Sequence, residues 1–192
     1  MIRILANDGI AADGKLLLEK AGYEVVTEKV AQEDLPQELP NFDVIIVRSA
    51  TKVRKDLIDQ CPRLKVIARA GVGLDNIDHD YARSIGRTVV NTPAASSQAV
   101  AELVFTHFFN LARFVNRSNR ELVAEGSDFK GLKKSYSKGI QMRGKTLGII
   151  GFGRIGREAA RLGLAMGMRV LPVDLMVDSA ELEIDIHGVD SV

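Results

Sequence analysis

Short apolar segments alternate with helix-like segments along the first half of the chain. Apolar runs occur at residues 2–6, 23–26, 43–48, 65–71 and 88–91. Helical periodicity lies between them, near residues 11–21, 54–60 and 78–85, and Gly22 and Gly86 follow the first and last of these helices. Continuously apolar strands that alternate with helices are typical of a parallel sheet covered on both faces. The pattern therefore predicts an α/β fold with a βαβ rhythm.

The pattern changes at NTPAASSQ, residues 91–98, where Pro93 and two serines predict a loop before a longer helix. Apolar residues then recur at spacings of three and four, at Val100, Leu103, Val104, Phe108, Leu111 and Val115. This stripe fits a helix packed on its own domain, and it equally fits one that crosses between domains and forms a subunit contact. Residues 117–145 are rich in Lys, Ser and Gly and have no clear period, so we predict a surface loop there.

The segment GFGRIG, residues 151–156, follows the apolar run 146–150 and opens a helical segment. In a strand–turn–helix unit, Gly151 allows the tight turn and Gly153 leaves room for a pyrophosphate. Gly156 lets the helix lie close to the strand. The phosphates would meet unpaired backbone N–H groups at the positive end of the helix dipole. The sequence therefore predicts a dinucleotide-binding unit.

An acidic residue follows at the position that this unit requires. Asp174 ends the apolar run MRVLPVD, 18 residues after Gly156, close to the ~20 residues typical of the acid that binds the ribose. Its carboxylate would accept hydrogen bonds from the adenosine ribose hydroxyls. A 2′-phosphate would meet a like charge, and the following LMV contains no Arg to offset it. The predicted cofactor is therefore NAD rather than NADP.

Three further strings precede this unit. They are VRSATKVRKDLI at 47–58, ARAGVGLDNID at 68–78 and VVNTPAASSQAVAEL at 89–103. Together with RGKTLGIIGFGRIGREAARLGLAMGMRV, they closely resemble the D-2-hydroxyacid dehydrogenase family, over nearly the whole chain except near 125–140 and after about 176. The resemblance implies a flavodoxin-like substrate domain over residues 1–97. It also implies that residues 98–192 are the beginning of a Rossmann NAD-binding domain, with the active site in the cleft between the two domains.

The resemblance also assigns residues to the substrate. Arg48 and Ser49, at the end of an apolar run, would face the substrate, with Arg48 on its phosphate or carboxylate. A guanidinium group pairs with such anions through two parallel hydrogen bonds. Without the family, an Arg at a strand end fits a surface ion pair equally well. The backbone N–H groups of Gly71, Val72 and Gly73 would hold the substrate carboxylate.

The remaining matched positions concern the cofactor and a helix start. Val72 would also touch the nicotinamide, and Arg154 and Ile155 would lie along the cofactor beside the three glycines of the GFGRIG segment. Asn76 and Asp78 are interpreted differently, as caps of the helix predicted at 78–85, because Asn and Asp favour the position before a helix.

The function implied is that of an NAD-dependent oxidoreductase of 2-hydroxy acids. Within the family, RSATKV and RAGVGLDN are most similar to members that act on a phosphorylated acid, and glycerate and D-lactate remain alternative substrates. A homodimer joined through the coenzyme domain is also implied. A second hypothesis is a non-catalytic NAD-sensing or protein-binding module, as in the transcriptional corepressors that share this scaffold.

The catalytic residues that the resemblance implies are not found. The family uses a His paired with a Glu, and an Arg, all well beyond the GFGRIG segment, and only 36 residues follow Gly156. His79, His107 and His187 match none of these positions, and His107 is predicted to be partly buried in an apolar helix. We therefore expect catalytic Arg, Glu and His residues downstream. An incomplete sheet has an unpaired edge, so we expect the chain on its own to be poorly soluble and inactive.

Composition narrows the possible partners and location. The chain has 46% hydrophobic residues, and 26 Lys and Arg nearly balance 25 Asp and Glu, so neither nucleic acid nor a membrane is expected as a partner. The single cysteine, Cys61, cannot form an internal disulfide and is predicted to be a packed thiol. The N-terminus lacks the apolar run of a secretory signal, which predicts a cytoplasmic protein. No metal site is predicted.

Overall fold

In the computed structural model, residues 1–124, 126 and 128–176 are described. The chain forms two compact units, Met1–Ala95 and a second that begins at Ser96. The division lies within the loop predicted at residues 91–98. His187 lies outside the described residues.

The first unit contains one five-stranded parallel sheet in the order β2-β1-β3-β4-β5. Its strands are β1 (Arg3–Ala6), β2 (Glu24–Val26), β3 (Val44–Val47), β4 (Val66–Arg69) and β5 (Thr88–Asn91). Its main helices are α1 (Ala12–Lys20), α3 (Lys55–Asp59) and α4 (His79–Ser84), with the short α2 (Leu35–Glu38) and a 3-10 turn (Leu39–Asn41). This is the flavodoxin-like strand order. Successive strands are added on one side of β1 up to β2 and on its other side from β3 onward, so the order of the strands reverses between β1 and β3. The predicted α/β fold is confirmed.

Fully buried apolar residues from the strands and helices form the core of this unit, among them Leu5, Ile45, Ile58 and Ile67. Cys61 is also fully buried, and burial raises the pKa of its thiol to about 11. The prediction of a packed thiol is therefore confirmed.

Asp43 is the most strongly held carboxylate of the first unit. Its side chain is only 8% exposed and accepts hydrogen bonds from Arg63 Nη2 at 2.9 Å and Arg63 Nε at 3.1 Å. The backbone N–H of Arg3 donates to it at 2.9 Å. The Arg63 guanidinium, together with the Arg3 N–H, lowers the pKa of Asp43 to about 2. This carboxylate joins the start of β1 to the turn before β4.

Replacing Asp43 with Asn is expected to lower the free energy of unfolding at pH 7 by about 2 kcal/mol, because hydrogen bonds to a charged group are lost. The folded pKa lies below the ordinary value of 3.8, so this stabilisation is present above about pH 4 and is lost as the pH falls toward 2. Urea unfolding at pH 7 and pH 3 should show the difference between wild type and Asp43→Asn shrinking at the lower pH. The exposed Asp13→Asn should behave like wild type, and a gap independent of pH would contradict the assignment.

The second unit has a two-stranded parallel sheet among its described residues. Its elements are α5 (Ser97–Arg113), α6 (Val115–Leu122), α7 (Phe129–Tyr136), β6 (Thr146–Ile150), α8 (Arg154–Ala165) and β7 (Arg169–Val173). Thr146 lies opposite Arg169 and Ile150 opposite Val173. Helices α5 and α8 pack against each other around a core that includes Phe105. The strand, turn, helix and strand predicted around GFGRIG are therefore present in that order.

Two predictions for this unit were correct only in part. The segment predicted as a surface loop contains α6 and α7, and neither helix has a buried residue, so no continuous apolar face marks them in the sequence. The buried face of α5 carries Ala101, Phe105 and Ala112, whereas Leu103 and Leu111 of the predicted stripe are 55% and 72% exposed, so the stripe does not pack wholly on its own unit, and a subunit contact through it stays a prediction. Of the described helices, not one has the length and apolar character needed to cross a membrane.

Candidate functional site

A pocket of about 590 Å³ lies where β1, β2 and β3 end. It is lined by Asn7, Asp8, Gly9, Thr27, Lys29, Arg48, Ser49 and Ala50. Ligands of doubly wound sheets bind at the carboxyl ends of the strands beside the reversal, which is where this pocket lies. Arg48 and Ser49, predicted from sequence, share it with Lys29, which the sequence reasoning missed.

Arg48 is exposed, and its guanidinium has no carboxylate partner in the part of the chain that the structure describes. Its backbone N–H donates to Asp8 Oδ2 at 2.7 Å. The surface ion pair that the sequence left open for Arg48 is therefore not seen among these residues. Lys29 is also exposed and follows β2 in an irregular segment, where no sequence pattern marks it.

Asp8 lies directly beneath the Arg48 loop. Thr51 Oγ1 donates to its Oδ1 at 2.7 Å, and the backbone N–H of Thr51 donates to its Oδ2 at 3.0 Å. Desolvation raises the pKa of Asp8, but the hydrogen bonds from Thr51 and Arg48 outweigh it and, with the nearby Lys29 charge, leave that pKa below its ordinary value. The residue is therefore an ionised carboxylate at neutral pH.

The loop after β4 carries the RAGVG residues, and its carbonyl groups are held by the protein. Thr92 N donates to Gly71 O at 3.0 Å, Asn91 Nδ2 donates to Val72 O at 2.6 Å, and a guanidinium N–H of Arg69 donates to Gly73 O. Among the described residues, the N–H groups of Val72 and Gly73 donate to no acceptor, whereas the N–H of Gly71, also predicted to hold the substrate carboxylate, already donates to Arg69 O at 3.0 Å. Two of the three predicted N–H groups are therefore available to a ligand.

Gly73 lies close to two side chains of this loop. A Cβ added there would lie 3.1 Å from Asp75 Oδ1 and 3.3 Å from Arg69 Nη1. At Gly71 the nearest atom, Arg69 Nε, would be at an ordinary 3.5 Å. Arg69 therefore supports the loop from below, and Gly73 gives it the space to do so.

The capping predicted for Asn76 and Asp78 was wrong. Neither side chain caps α4, whose N-terminus has no side-chain hydrogen bond. Asp78 Oδ2 instead accepts from the backbone N–H of Lys55, at the start of α3, at 2.8 Å. Asn76 is buried, and its Nδ2 donates to Arg48 O at 2.9 Å and to Thr51 O at 2.6 Å. Residues distant in sequence compete successfully for both side chains.

The GFGRIG segment has the local geometry that its glycines predict. Gly151 has φ +93°, a conformation that glycine adopts without strain. A Cβ on Gly156 would overlap the Gly151 carbonyl oxygen, whereas a Cβ on Gly153 would meet nothing within 4 Å. Arg154 and Ile155, in the first turn of α8, are exposed.

The start of α8 is open to an anion. The first backbone N–H groups of a helix have no partner within the helix, and no side chain caps those of α8. Asp174 lies beside this turn, where its Oδ2 accepts from Phe152 N at 2.6 Å and its Oδ1 from Met176 N at 2.7 Å. The turn, the helix start and the carboxylate therefore lie together.

The histidines of the described region form no comparable arrangement. His79 lies 3.0 Å from Asp80, and His107 is exposed rather than partly buried as predicted. No group of three or more His, Cys, Asp or Glu residues in the described ranges could hold a metal ion.

Comparison with known proteins identifies the class. Residues 4–169 match the family of D-isomer specific 2-hydroxyacid dehydrogenases, catalytic domain. The chain therefore belongs to this family, as the sequence motifs predicted.

The relatives that this chain resembles differ from one another in activity. The chain is 40% identical to hydroxypyruvate reductase of Thermotoga maritima over 99% of its own length and 61% of that protein. It is also 40% identical to D-3-phosphoglycerate dehydrogenase of Methanocaldococcus jannaschii, over 91% of its own length and 32% of that protein. The structure of D-lactate dehydrogenase from Aquifex aeolicus, complexed with NAD and lactic acid, superposes with a TM-score of 0.70 at 28% identity, covering 94% of this chain and 54% of that one. The chain thus spans about a third to three fifths of these relatives.

Proposed function

We propose that the full-length protein is an NAD-dependent D-3-phosphoglycerate dehydrogenase, which oxidises D-3-phosphoglycerate to 3-phosphohydroxypyruvate at the entry to serine biosynthesis. The observation that carries this proposal is the pocket that contains both Arg48 and Lys29. Two cations in one pocket suit a phosphate dianion better than a single carboxylate. The 40% identity to an archaeal enzyme of that name supports the same substrate.

In this proposal, each part of the chain has a separate task. Arg48, with Ser49 and Lys29, binds the phosphate, and the N–H groups of Val72 and Gly73 bind the substrate carboxylate. NAD held at Gly151, Gly153 and the start of α8 would supply the hydride acceptor for the substrate carbon. The chain orients the acid by its two anionic ends, which is a large part of what an enzyme contributes to such a reaction. We propose that the Arg, Glu and His that act on the reacting oxygen lie downstream.

The proposal is tested by turnover of the full-length protein on matched substrates. We expect kcat/KM for D-3-phosphoglycerate to exceed that for D-glycerate and D-lactate by at least about 100-fold, since charge-assisted hydrogen bonds to the phosphate are made only by the first. A second candidate is hydroxypyruvate reductase, favoured by the equal identity to the Thermotoga protein, and faster reduction of hydroxypyruvate than of its phosphorylated form would support it. NAD binding without turnover of any of these acids would indicate the non-catalytic module.

NAD binding is proposed for Gly151, Gly153, Arg154, Ile155 and Gly156, with Val72 at the nicotinamide end. The pyrophosphate would lie on the uncapped start of α8, where N–H groups and the helix dipole favour an anion. We further propose a homodimer joined through the unit that begins at Ser96, and a cytoplasmic location.

Replacing Asp174 with Ala is expected to weaken NAD binding about tenfold or more, because the ribose hydroxyls lose a charged acceptor. The same change removes a like charge from the place of a 2′-phosphate, so NADP affinity should stay the same or rise. Calorimetric titration of the full-length protein with both cofactors measures the two effects. Because Asp174 also accepts from Phe152 N, a parallel loss of both affinities would indicate a merely structural role. Glu102→Gln, on the exposed side of α5, is the control.

A further inference from the structure

Four polar side chains in and next to the pocket form a cluster, which we call the polar clamp: Asn7, Asp8, Thr51 and Asn76. Asn7, Thr51 and Asn76 are 2%, 3% and 5% exposed. Burying polar groups is unfavourable unless they are hydrogen-bonded, and these side chains bond backbone groups of Val30, Arg48 and Thr51. The clamp therefore fixes the backbone of the loops that carry the pocket residues.

The clamp holds the Arg48–Thr51 loop from two sides. Asp8 accepts from the backbone N–H groups of Arg48 and Thr51, at 2.7 and 3.0 Å. Asn76 donates to the carbonyl oxygens of the same two residues, at 2.9 and 2.6 Å. The backbone at both ends of this loop is thus fixed by side chains from the segments after β1 and β4.

The clamp also reaches the segment that carries Lys29. Asn7 Oδ1 accepts from the backbone N–H of Val30 at 2.8 Å, and Asn7 Nδ2 donates to Val30 O at 3.1 Å. The same Nδ2 donates to Thr51 Oγ1 at 2.9 Å, and that hydroxyl donates to Asp8 Oδ1 at 2.7 Å. The Thr51 hydroxyl therefore joins the half of the clamp that holds the Lys29 segment to the half that holds the Arg48 loop.

We infer that the polar clamp fixes the spacing of Lys29 and Arg48 and thereby sets the preference of the pocket for a phosphate dianion. This inference rests on the proposed function, and it assigns Asn7, Asp8, Thr51 and Asn76 as positioning residues that act through the two backbone segments. Lys29 and Arg48 are exposed and have long side chains. The clamp fixes the distance between the backbone segments from which these two side chains extend. A pocket held at one spacing binds its anion without first ordering the loops.

The test removes the Thr51 hydroxyl while it keeps the branched shape of the side chain. In the full-length protein, Thr51→Val should raise KM for D-3-phosphoglycerate about tenfold, because misplaced binding groups lose alignment with the substrate. The kcat, the KM for NAD and the KM for D-glycerate should change less than about twofold. Thr51→Ser retains the hydroxyl and should behave like wild type. Equal losses for both acids, or none for the phosphorylated one, would overturn the inference.

A binding measurement separates this inference from the proposed function. Inorganic phosphate, titrated by calorimetry, should bind Thr51→Val about tenfold more weakly than wild type and Thr51→Ser. If phosphate binding depends on Thr51 while D-3-phosphoglycerate is not turned over, the clamp stands and the proposed substrate falls. If phosphate binds Thr51→Val as well as wild type, the clamp has no part in anion binding, whatever the substrate.

Discussion

Replacing Gly156 with Ala is expected to abolish NAD binding and to destabilise the unit that contains it. The added Cβ would overlap the Gly151 carbonyl oxygen and would lie 3.2 Å from Ile149 Cγ2. The Gly151 carbonyl oxygen belongs to the backbone of a tight turn and cannot move aside as a side chain would. The helix α8 would therefore have to move away from β6. Overpacking of this kind typically costs 1–3 kcal/mol and occasionally more. We expect a lower melting temperature and a loss of NAD affinity of at least about 100-fold, because the N–H groups that hold the pyrophosphate move with the helix.

Two neighbouring glycines provide matched controls. A Cβ at Gly153 or at Gly148 would meet nothing within 4 Å, so neither Gly153→Ala nor Gly148→Ala should change the melting temperature much. Gly153→Ala should nevertheless weaken NAD binding, since its methyl group would occupy the side from which the pyrophosphate approaches. Gly148→Ala should leave both properties unchanged. Wild-type NAD affinity in Gly156→Ala would show that the cofactor does not bind at this turn.

Replacing Arg48 with Ala is expected to raise KM for D-3-phosphoglycerate roughly 10- to 100-fold. This range corresponds to the binding free energy that is lost when charge-assisted hydrogen bonds are removed. D-glycerate lacks the phosphate, so its KM should change less than about threefold. Arg48→Lys should recover only part of the loss, because an ammonium group keeps the charge but cannot form the paired hydrogen bonds of a guanidinium. Steady-state kinetics of the full-length protein on the two acids measures these effects.

The control for Arg48 is Arg54→Ala. Arg54 is half exposed and pairs with Asp78 at 3.0 Å, outside the residues that line the pocket. A surface pair of this kind contributes little to stability, so the variant should resemble wild type on both acids. If Arg48→Ala lowers activity on D-glycerate as much as on D-3-phosphoglycerate, Arg48 does not bind the phosphate.

Much of the fold could be predicted because its strands are buried and continuously apolar. The runs around Ile4, Ile45, Ile67 and Val89 each became a strand of the parallel sheet. Elements without a buried face were missed, as α6 and α7 illustrate. The short α2 was also missed, since Pro36 and Pro40 interrupt any helical period there.

The site could be predicted only where its requirements are local. The glycines of GFGRIG and the position of Asp174 follow from one strand–turn–helix–strand unit. Lys29 and the polar clamp depend instead on the strand order, which brings the ends of β1, β2 and β3 together. Asp8 and Thr51 are 43 residues apart in sequence, and no pattern within either segment records that contact.

The buried state of Cys61 also gives the protein a practical property. It is the single cysteine of the sequence, and a fully buried thiol whose pKa is raised to about 11 is scarcely ionised at neutral pH. Maleimide dyes should therefore leave the described residues unlabelled in their native state. A cysteine introduced at the rim of the pocket, as in Ala50→Cys, would then be the one reactive thiol among the described residues, without any need to remove the natural thiol.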